Sequence, residues 1–319
     1  MAKVNTADIG FEDQIWKAAD KMRGNIDASE YKSVVLGLIF LKYISDKFET
    51  RYEELVAEGE GFEEDKDEYT AENIFYVPTE ARWATIAEAA HTPEIGTVID
   101  NAMRAIEKEN RRLKDILPKN FARPELDKRR LGDVVDLFTN IKMHEHGDSK
   151  DILGRAYEYC LSKFAEAEGK LAGEFYTPAC IVKTLVNVLE PYAGRVYDPC
   201  CGSGGMFVQA ARYMHNHNVS ESDMMKFRCY GVEKEPDTVK LAKMNLLLNN
   251  VRGEITEANS FYADPYDAVG KFDYVMANPP FNVDEVGYER VKDDARFNTY
   301  GIPKNKSKTA KKDSDKKET

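Results

Sequence analysis

Between residues 195 and 277 short apolar runs alternate with helical stretches, and this rhythm narrows the possible folds more than any other feature of the chain. Arg195-Val-Tyr-Asp198 runs into a cluster of glycines and then a helical pattern through His215. Cys229-Tyr-Gly-Val-Glu233 is followed by a helical pattern from about Pro236 to Leu248. Gly253 to Ala258 is a third strand candidate, and Phe272-Asp-Tyr-Val-Met-Ala277 a fourth that ends at Asn278-Pro279-Pro280. Strands of this length separated by helices predict βαβ units and a parallel sheet, hence an α/β fold.

The first half of the chain has a different character. Residues 11–58 read as helix, with Asp27-Ala-Ser-Glu30 as a capping box ahead of an amphipathic stretch in which Tyr31, Val34, Val35, Leu38 and Leu41 recur at helical spacing. Glu58 to Glu72 holds eight acidic residues and one Lys and reads as a solvated loop. Residues 73–140 continue mostly helical, punctuated by Pro78, Pro93, Pro118 and Pro124. Nothing before about residue 150 alternates with period two, so residues 1–150 are expected to form an all-helical domain and 151–303 the α/β domain. From Lys304 the chain has seven Lys, three acids and no apolar face, the composition of a disordered tail at 304–319.

Composition excludes several classes. A length of 319 residues accommodates about two domains of ~100–200 residues. The longest apolar run, Val34 to Leu41, covers eight residues and is too short to span a bilayer. The N-terminus lacks a basic segment followed by an apolar one, so no secretory signal is read. Five unpatterned cysteines, with Cys200 and Cys201 adjacent, fit a reducing, cytoplasmic setting better than a disulfide scaffold. The net charge of −11 argues against whole-body attraction to nucleic acid.

Three segments carry chemistry. In Asp198-Pro-Cys-Cys-Gly202-Ser203-Gly204-Gly205 an acid ends a strand, and glycines let the backbone turn toward a ligand before a helix begins. Glu233 ends the next strand, where a carboxylate can accept hydrogen bonds from ribose hydroxyls. The spacing is not that of a G-x-G-x-x-G fingerprint, and the P-loop Lys is missing. Asn278-Pro279-Pro280-Phe281 follows a strand; its prolines stiffen a turn that offers an amide oxygen and a backbone carbonyl to a planar NH₂ group. Gly173-Glu174-Phe-Tyr176-Thr177-Pro178 precedes a helical run, Ala179 to Leu189, with Thr177 as the expected N-cap and Pro178 at the first helical position. That segment reads equally well as a plain helix start or as a helix N-terminus meeting an anionic group. His144-Glu-His146 lacks further ligands and is not read as a metal site. The run from Arg104 to Arg130, ten Lys and Arg against five acids, suits either phosphate contact or a solvated helix face.

Together the three segments resemble an S-adenosylmethionine-dependent adenine DNA methyltransferase, and more closely the modification (M) subunit of a type I restriction-modification system. The resemblance runs from about residue 11 to about 303. It implies a helical N-terminal domain followed by a class I, Rossmann-like methyltransferase sheet. It also implies that Glu174, Tyr176 and Thr177 belong to a cofactor-side motif, that Asp198, Gly202, Ser203, Gly204 and Gly205 hold the methionine part, and that Glu233 binds the ribose. Asn278, Pro279, Pro280 and Phe281 match the (D/N)PP(F/Y) catalytic motif. Two positions depart from the family pattern: Cys200 stands where Ala or Thr is frequent, and Asn259 where an Asp often faces the cofactor adenine, with Asp264 nearby as a substitute.

The expected reaction is transfer of a methyl group from S-adenosylmethionine to N6 of an adenine flipped out of double-stranded DNA. Phe281 would stack on the base, while Asn278 Oδ1 and the Pro279 carbonyl accept its amino hydrogens. The alternatives are an N-methyltransferase of protein glutamine or RNA, and a non-catalytic subunit acting only in assembly. The family sheet has seven strands in the order 3-2-1-4-5-7-6, whereas four are read here. The sheet is therefore expected to be incomplete after the fourth strand, and the chain alone weak or inactive. The resemblance further implies as partners a specificity (S) subunit that chooses the sequence and supplies a basic channel, a restriction (R) subunit and a second M copy, with no membrane.

Overall fold

A computed structural model describes residues 9–22, 28–140, 149–168, 176–280, 283, 286–299, 301 and 302. The chain divides into two compact units, Met1–Ala172 with Leu247–Asn250, and Gly173–Leu246 with Val251–Thr319. Among the described residues no helix is long and apolar enough to cross a membrane.

Among the described residues of the first unit the longer regular elements are all helices: α1 (Ile9–Met22), α2 (Ala28–Glu58), α3 (Lys66–Ala71), α4 (Trp83–Glu88), α5 (Ile95–Glu109), α6 (Lys128–Asn140) and α7 (Ser149–Glu168). The amphipathic reading of α2 is too modest. Val34, Leu36, Leu38, Ile39, Phe40 and Leu41 are all fully buried, so this stretch of the helix is enclosed on every side, as an apolar segment must be, while the end of the helix from about Glu49 is largely exposed. Both α7 and α4 pack against it. Phe164 of α7 meets Trp16 and Tyr31 edge-on, with ring centroids 4.9 and 5.3 Å apart. The capping box at Asp27 and His144-Glu-His146 lie outside the described residues.

The acid-rich segment is not a plain loop. Asp65 caps α3 by accepting the Asp67 N–H, and Tyr69 is fully buried, stacked on Phe48 with centroids 4.7 Å apart. One aromatic anchor and one cap thus offset the repulsion among the acids, a balance that charge counting alone misses. The stretch between α5 and α6 is largely irregular; buried Asp100 on α5 holds it by accepting the N–H groups of Phe121 and Ala122 at 2.9 and 3.2 Å.

The second unit begins with α8 (Ala179–Leu189) and then alternates: β1 (Arg195–Asp198), α9 (Gly205–Asn216), α10 (Glu221–Lys226), β2 (Arg228–Glu233), α11 (Pro236–Leu248), β3 (Gly253–Glu257), β4 (Tyr274–Val275) and α12 (Tyr288–Val291). The four strands form a parallel sheet in the order β3-β2-β1-β4. The fourth strand is shorter than the sequence suggests, but the Asp273 and Met276 N–H groups extend its pairing by donating to the carbonyls of Arg195 and Tyr197.

Residues alternate across the sheet. Val196, Cys229 and Ile255 share one face and pack with Phe207 and Met206 of α9 and with Ala242 and Leu246 of α11 in one buried cluster. Tyr197 and Tyr230 point the other way, into an aromatic layer completed by Tyr266 and Phe272; the Tyr197 and Phe272 rings stack 4.7 Å apart. In such a sheet the carboxyl ends of the strands carry the ligand site, and here those ends bear Asp198 and Glu233, with Asn278 three residues beyond β4.

Candidate functional site

The site is built around the turn from β1 into α9. Asp198, only 2% exposed, closes that turn by accepting the Cys200 N–H on Oδ1 at 2.9 Å. The Cys201 N–H donates to the Val232 carbonyl and the Gly204 N–H to the Cys201 carbonyl, which ties the turn to β2 and to itself. Gly202 and Gly204 have φ of +52° and +75°, a region that side chains with a Cβ rarely adopt. Gly204 has a second constraint, because a Cβ there would lie 2.7 Å from Leu246 Cδ1. A Cβ on Gly205 would meet nothing within 4 Å and would project into open space.

Glu233, at the tip of β2, accepts the Gly202 N–H on one oxygen at 3.2 Å and the Glu235 N–H on the other at 2.9 Å. Both strand-tip carboxylates are buried and, among the described residues, neither pairs with a cation. Burial pushes the Asp198 carboxyl up to about 7, with the Cys200 hydrogen bonds holding it partly down and the Glu233 charge adding to the rise. Burial likewise raises Glu233 above the usual carboxylate range against three backbone N–H groups that lower it. The Cys200 and Cys201 thiols are pushed up as well, first by burial and then by the adjoining carboxylates, so neither is a thiolate nucleophile.

Asn278 reaches the same place from the opposite side. Its Nδ2 donates to Thr177 Oγ1 at 3.1 Å. Tyr176, Thr177, Asp198, Gly202, Ser203, Gly205 and Asn278 line one small pocket open to solvent. Seven of the residues singled out in the sequence are therefore brought together. Gly204 packs against α11 instead, and Glu233 stands behind the turn, one hydrogen bond from Gly202. Pro279 and Pro280 follow Asn278 on the surface. Asn259, beyond β3, is exposed and away from the pocket lining, its Oδ1 accepting the Phe261 N–H. Glu174 and Phe281 lie outside the described residues.

Thr177 does not cap α8. The helix starts at Ala179 with Pro178 at the cap position and no side-chain cap bond. The proline ring at the cap position carries no oxygen to accept a first-turn N–H, and Thr177 Oγ1 accepts from Asn278 instead. Sequence reasoning also missed Asn245, fully buried on α11, whose Nδ2 donates to the Ser203 carbonyl at 2.9 Å and fixes the glycine turn from behind. Its signal was a lone amide in the apolar run Met244-Asn-Leu-Leu-Leu248. Cys200, Cys201 and Met206 complete the pocket lining.

Comparison with known proteins matches residues 148–311 to N-6 DNA methylase, more than half of the chain, and residues 11–138 to the HsdM N-terminal domain. The chain belongs to the N-6 DNA methylase family. Among its relatives, the type I restriction enzyme MjaIX methylase subunit of Methanocaldococcus jannaschii is 38% identical over 89% of this chain and 53% of its own length. The HindI methylase subunit of Haemophilus influenzae is 37% identical over 71% of this chain and 55% of its own. The chain thus spans about half the length of these curated relatives. In fold it is similar to the type I restriction-modification methyltransferase subunit from Streptococcus thermophilus, with a TM-score of 0.74 at 23% identity, over 91% of this chain and 67% of that one. The family matches meet between residues 138 and 148, whereas the compact units divide between Ala172 and Gly173. The helix α7 thus carries methylase-family sequence while packing on α1 and α2 of the first unit.

Proposed function

We propose that this chain is an adenine-N6 DNA methyltransferase subunit of a type I restriction-modification system, using S-adenosylmethionine. The observation that carries the reading is the convergence of Asn278, Thr177 and the glycine turn on one pocket. The fit to the cofactor rests on the donor set. The sulfonium and ammonium groups of S-adenosylmethionine are cationic, and this turn gathers two buried carboxylates that no cation neutralises among the described residues. The open direction at Gly205 leaves room beside the turn. Asp198, Gly202, Ser203 and Gly205 would hold the methionine part, Tyr176 and Thr177 would flank it, Glu233 would take the ribose hydroxyls, and Asn259 would serve the adenine side. When bound, the cofactor supplies an electrophilic methyl group on sulfur.

The chain's own contribution is positioning. With Nδ2 committed to Thr177, Asn278 turns Oδ1 free as an acceptor for one N–H of a planar amino group. The Pro279 carbonyl accepts the other N–H, and Phe281 supplies a stacking face for a base taken out of the duplex. Two acceptors on one amino group leave its lone pair on the remaining side, and orientation of this kind accounts for much of the acceleration without a strong base. The displaced proton passes to water. The family matched is one of DNA methylases, which favours a DNA base over a glutamine amide or RNA.

The partners that follow from this reading are double-stranded DNA, an S subunit, an R subunit and a second M copy, in the cytoplasm. One protein of similar fold, with a TM-score of 0.59 at 24% identity, comes from a study titled for complex assembly and conformational transition of the type I R-M system, which supports a multisubunit setting. On the same reading the chain alone is weakly active or inactive. In the complex with its S subunit, Asn278→Ala is expected to lower the methylation rate by about 10²-fold or more, with S-adenosylmethionine affinity changed by no more than about twofold. Full methylation of adenine by this variant, with cofactor binding intact, would remove Asn278 from the mechanism.

A further inference from the structure

After β3 the chain folds into one tight turn. The Tyr262 and Ala263 N–H groups both donate to the Asn259 carbonyl, at 2.9 and 3.0 Å, and the Phe261 N–H to Asn259 Oδ1. The carbonyls of this half-buried turn find partners as well, as backbone acceptors in folded chains nearly always do. Those partners come from a single side chain far along the sequence. Arg296 Nη1 donates to the Ser260 carbonyl at 2.7 Å and to the Ala263 carbonyl at 3.4 Å, and Nη2 to the Phe261 carbonyl at 3.3 Å.

The opposite edge of the guanidinium is held by Asp294. Nε donates to Oδ1 and Oδ2 at 3.0 and 3.1 Å, and Nη2 to Oδ2 at 2.7 Å. Asp294 Oδ1 also accepts the Arg296 N–H, so the acid fixes both the backbone and the side chain of its partner. Five donors in a rigid plane suit this arrangement, whereas an ammonium cannot bridge an acid and three carbonyls. A second grip lies on Tyr262, whose Oη accepts the Gly287 N–H at 3.0 Å and whose ring lies 3.6 Å beneath the Arg290 guanidinium.

The chain segment involved is the one that returns from Asn278. It is tied to the sheet at Met276, whose N–H donates to the Tyr197 carbonyl, and tied again to the Asn259–Ala263 turn from Gly287 onward. We infer that Asp294 and Arg296 form a clasp joining the turn after β3 to the chain that returns from Asn278, which makes Arg296 a positioning residue for methyl transfer. The inference rests on the reading above, in which the turn serves the cofactor side and Asn278 the acceptor side. The clasp makes the order of one side depend on the order of the other.

The test combines hydrogen exchange with calorimetric titration of S-adenosylmethionine on the full chain, for Arg296→Gln, Arg296→Lys and the milder Asp294→Asn. In Arg296→Gln the amides of 259–263 and 286–291 are expected to exchange about tenfold faster or more, through local opening, while the first unit and the melting temperature stay unchanged. Cofactor affinity should fall by about tenfold or less, since the turn still forms but must be ordered on binding. Lysine should not restore either property, and Asp294→Asn should show the same pattern at smaller size. Millimolar guanidinium added to Arg296→Gly should restore affinity, a response that lost packing would not give. Wild-type exchange in Arg296→Gln, or acceleration spread over the whole chain together with a lower melting temperature, would overturn the clasp. If the wild-type chain binds no S-adenosylmethionine, the reading of function falls, and the exchange pattern alone decides the clasp.

Discussion

Two regions of this molecule concentrate carboxylates, and they treat them in opposite ways. Between Glu54 and Glu72 the acids sit at the surface around guanidinium groups: Arg51 reaches Glu54, Glu58, Glu68 and Glu72 at 3.2–3.3 Å, and Arg82 pairs with Glu64. At the strand tips Asp198 and Glu233 are buried, held by backbone N–H groups and, for Asp198, the Cys200 thiol, and neither pairs with a cation among the described residues. The first arrangement neutralises charge within the fold. The second leaves two buried negative groups whose burial is offset when a cation arrives from outside. Acids of the first kind serve the fold, and acids of the second kind serve a ligand.

The largest expected effect follows from that division. Asp198→Asn keeps the shape and can still accept the Cys200 N–H, but it cannot oppose a positive ligand. Its affinity for S-adenosylmethionine is expected to fall by about tenfold or more, the range associated with hydrogen bonds to charged groups. The stability of the unliganded chain should move the other way. Burial lifts the Asp198 carboxyl from 3.8 to about 7, so its favourable contribution is complete below about pH 4 and is lost as pH rises through about 7. Wild-type stability should therefore decline across that window while cofactor affinity climbs, and Asp198→Asn should flatten both slopes. A pH series of thermal melts and titrations reads the two curves. Parallel slopes of the same sign would break the comparison.

Glycines divide in the same way and predict the next effect in size. A Cβ on Gly231 would sit 2.7 Å from both Cys201 Sγ and Ile255 Cδ1, whereas one on Gly205 would meet nothing within 4 Å. Gly231→Ala is expected to destabilise the chain by about 1–3 kcal/mol, the usual cost of overpacking a filled interior. Gly205→Val should leave the melting temperature close to wild type and weaken cofactor binding on the order of tenfold, because its branches enter the pocket. If Gly205→Val lost stability and kept affinity, the open space beside the turn would not belong to the ligand.

What the sequence made legible follows the same line. Patterning identified all four described strands, because short apolar runs between helical stretches, strand-ending acids and glycine turns are local signals. The same signals placed Asp198, Gly202 and Asn278 at strand ends, and a parallel sheet does the work of bringing such ends together. Side-chain partnerships across long separations were not legible. Thr177 carries every mark of an N-cap, yet its hydroxyl serves Asn278, a residue 101 positions later. Tyr69 turns an acidic stretch into a helix only because Phe48 waits to stack on it. Asn245 and Arg296 act on backbone carbonyls of distant turns, and no residue spacing announces a carbonyl.

The smallest expected effect tests the fold-serving acids directly. The Arg51 side chain is 13% exposed, but its four partners are 40–56% exposed and can turn toward water when the guanidinium is removed. Pairs of that kind contribute little each, and their effect here is collective, holding α3 against the end of α2. Arg51→Ala should therefore lower the melting temperature by a few degrees at most in dilute buffer. The variant and wild type should converge at about 1 M salt, where screening acts within about 3 Å and the released carboxylates no longer repel one another. Amide exchange should rise in Lys66–Ala71 alone, and S-adenosylmethionine affinity should not move. A loss of affinity comparable to that of Asp198→Asn would mean that surface acids in the helical unit reach the ligand site, and the separation of fold-serving from ligand-serving charge would no longer describe this chain.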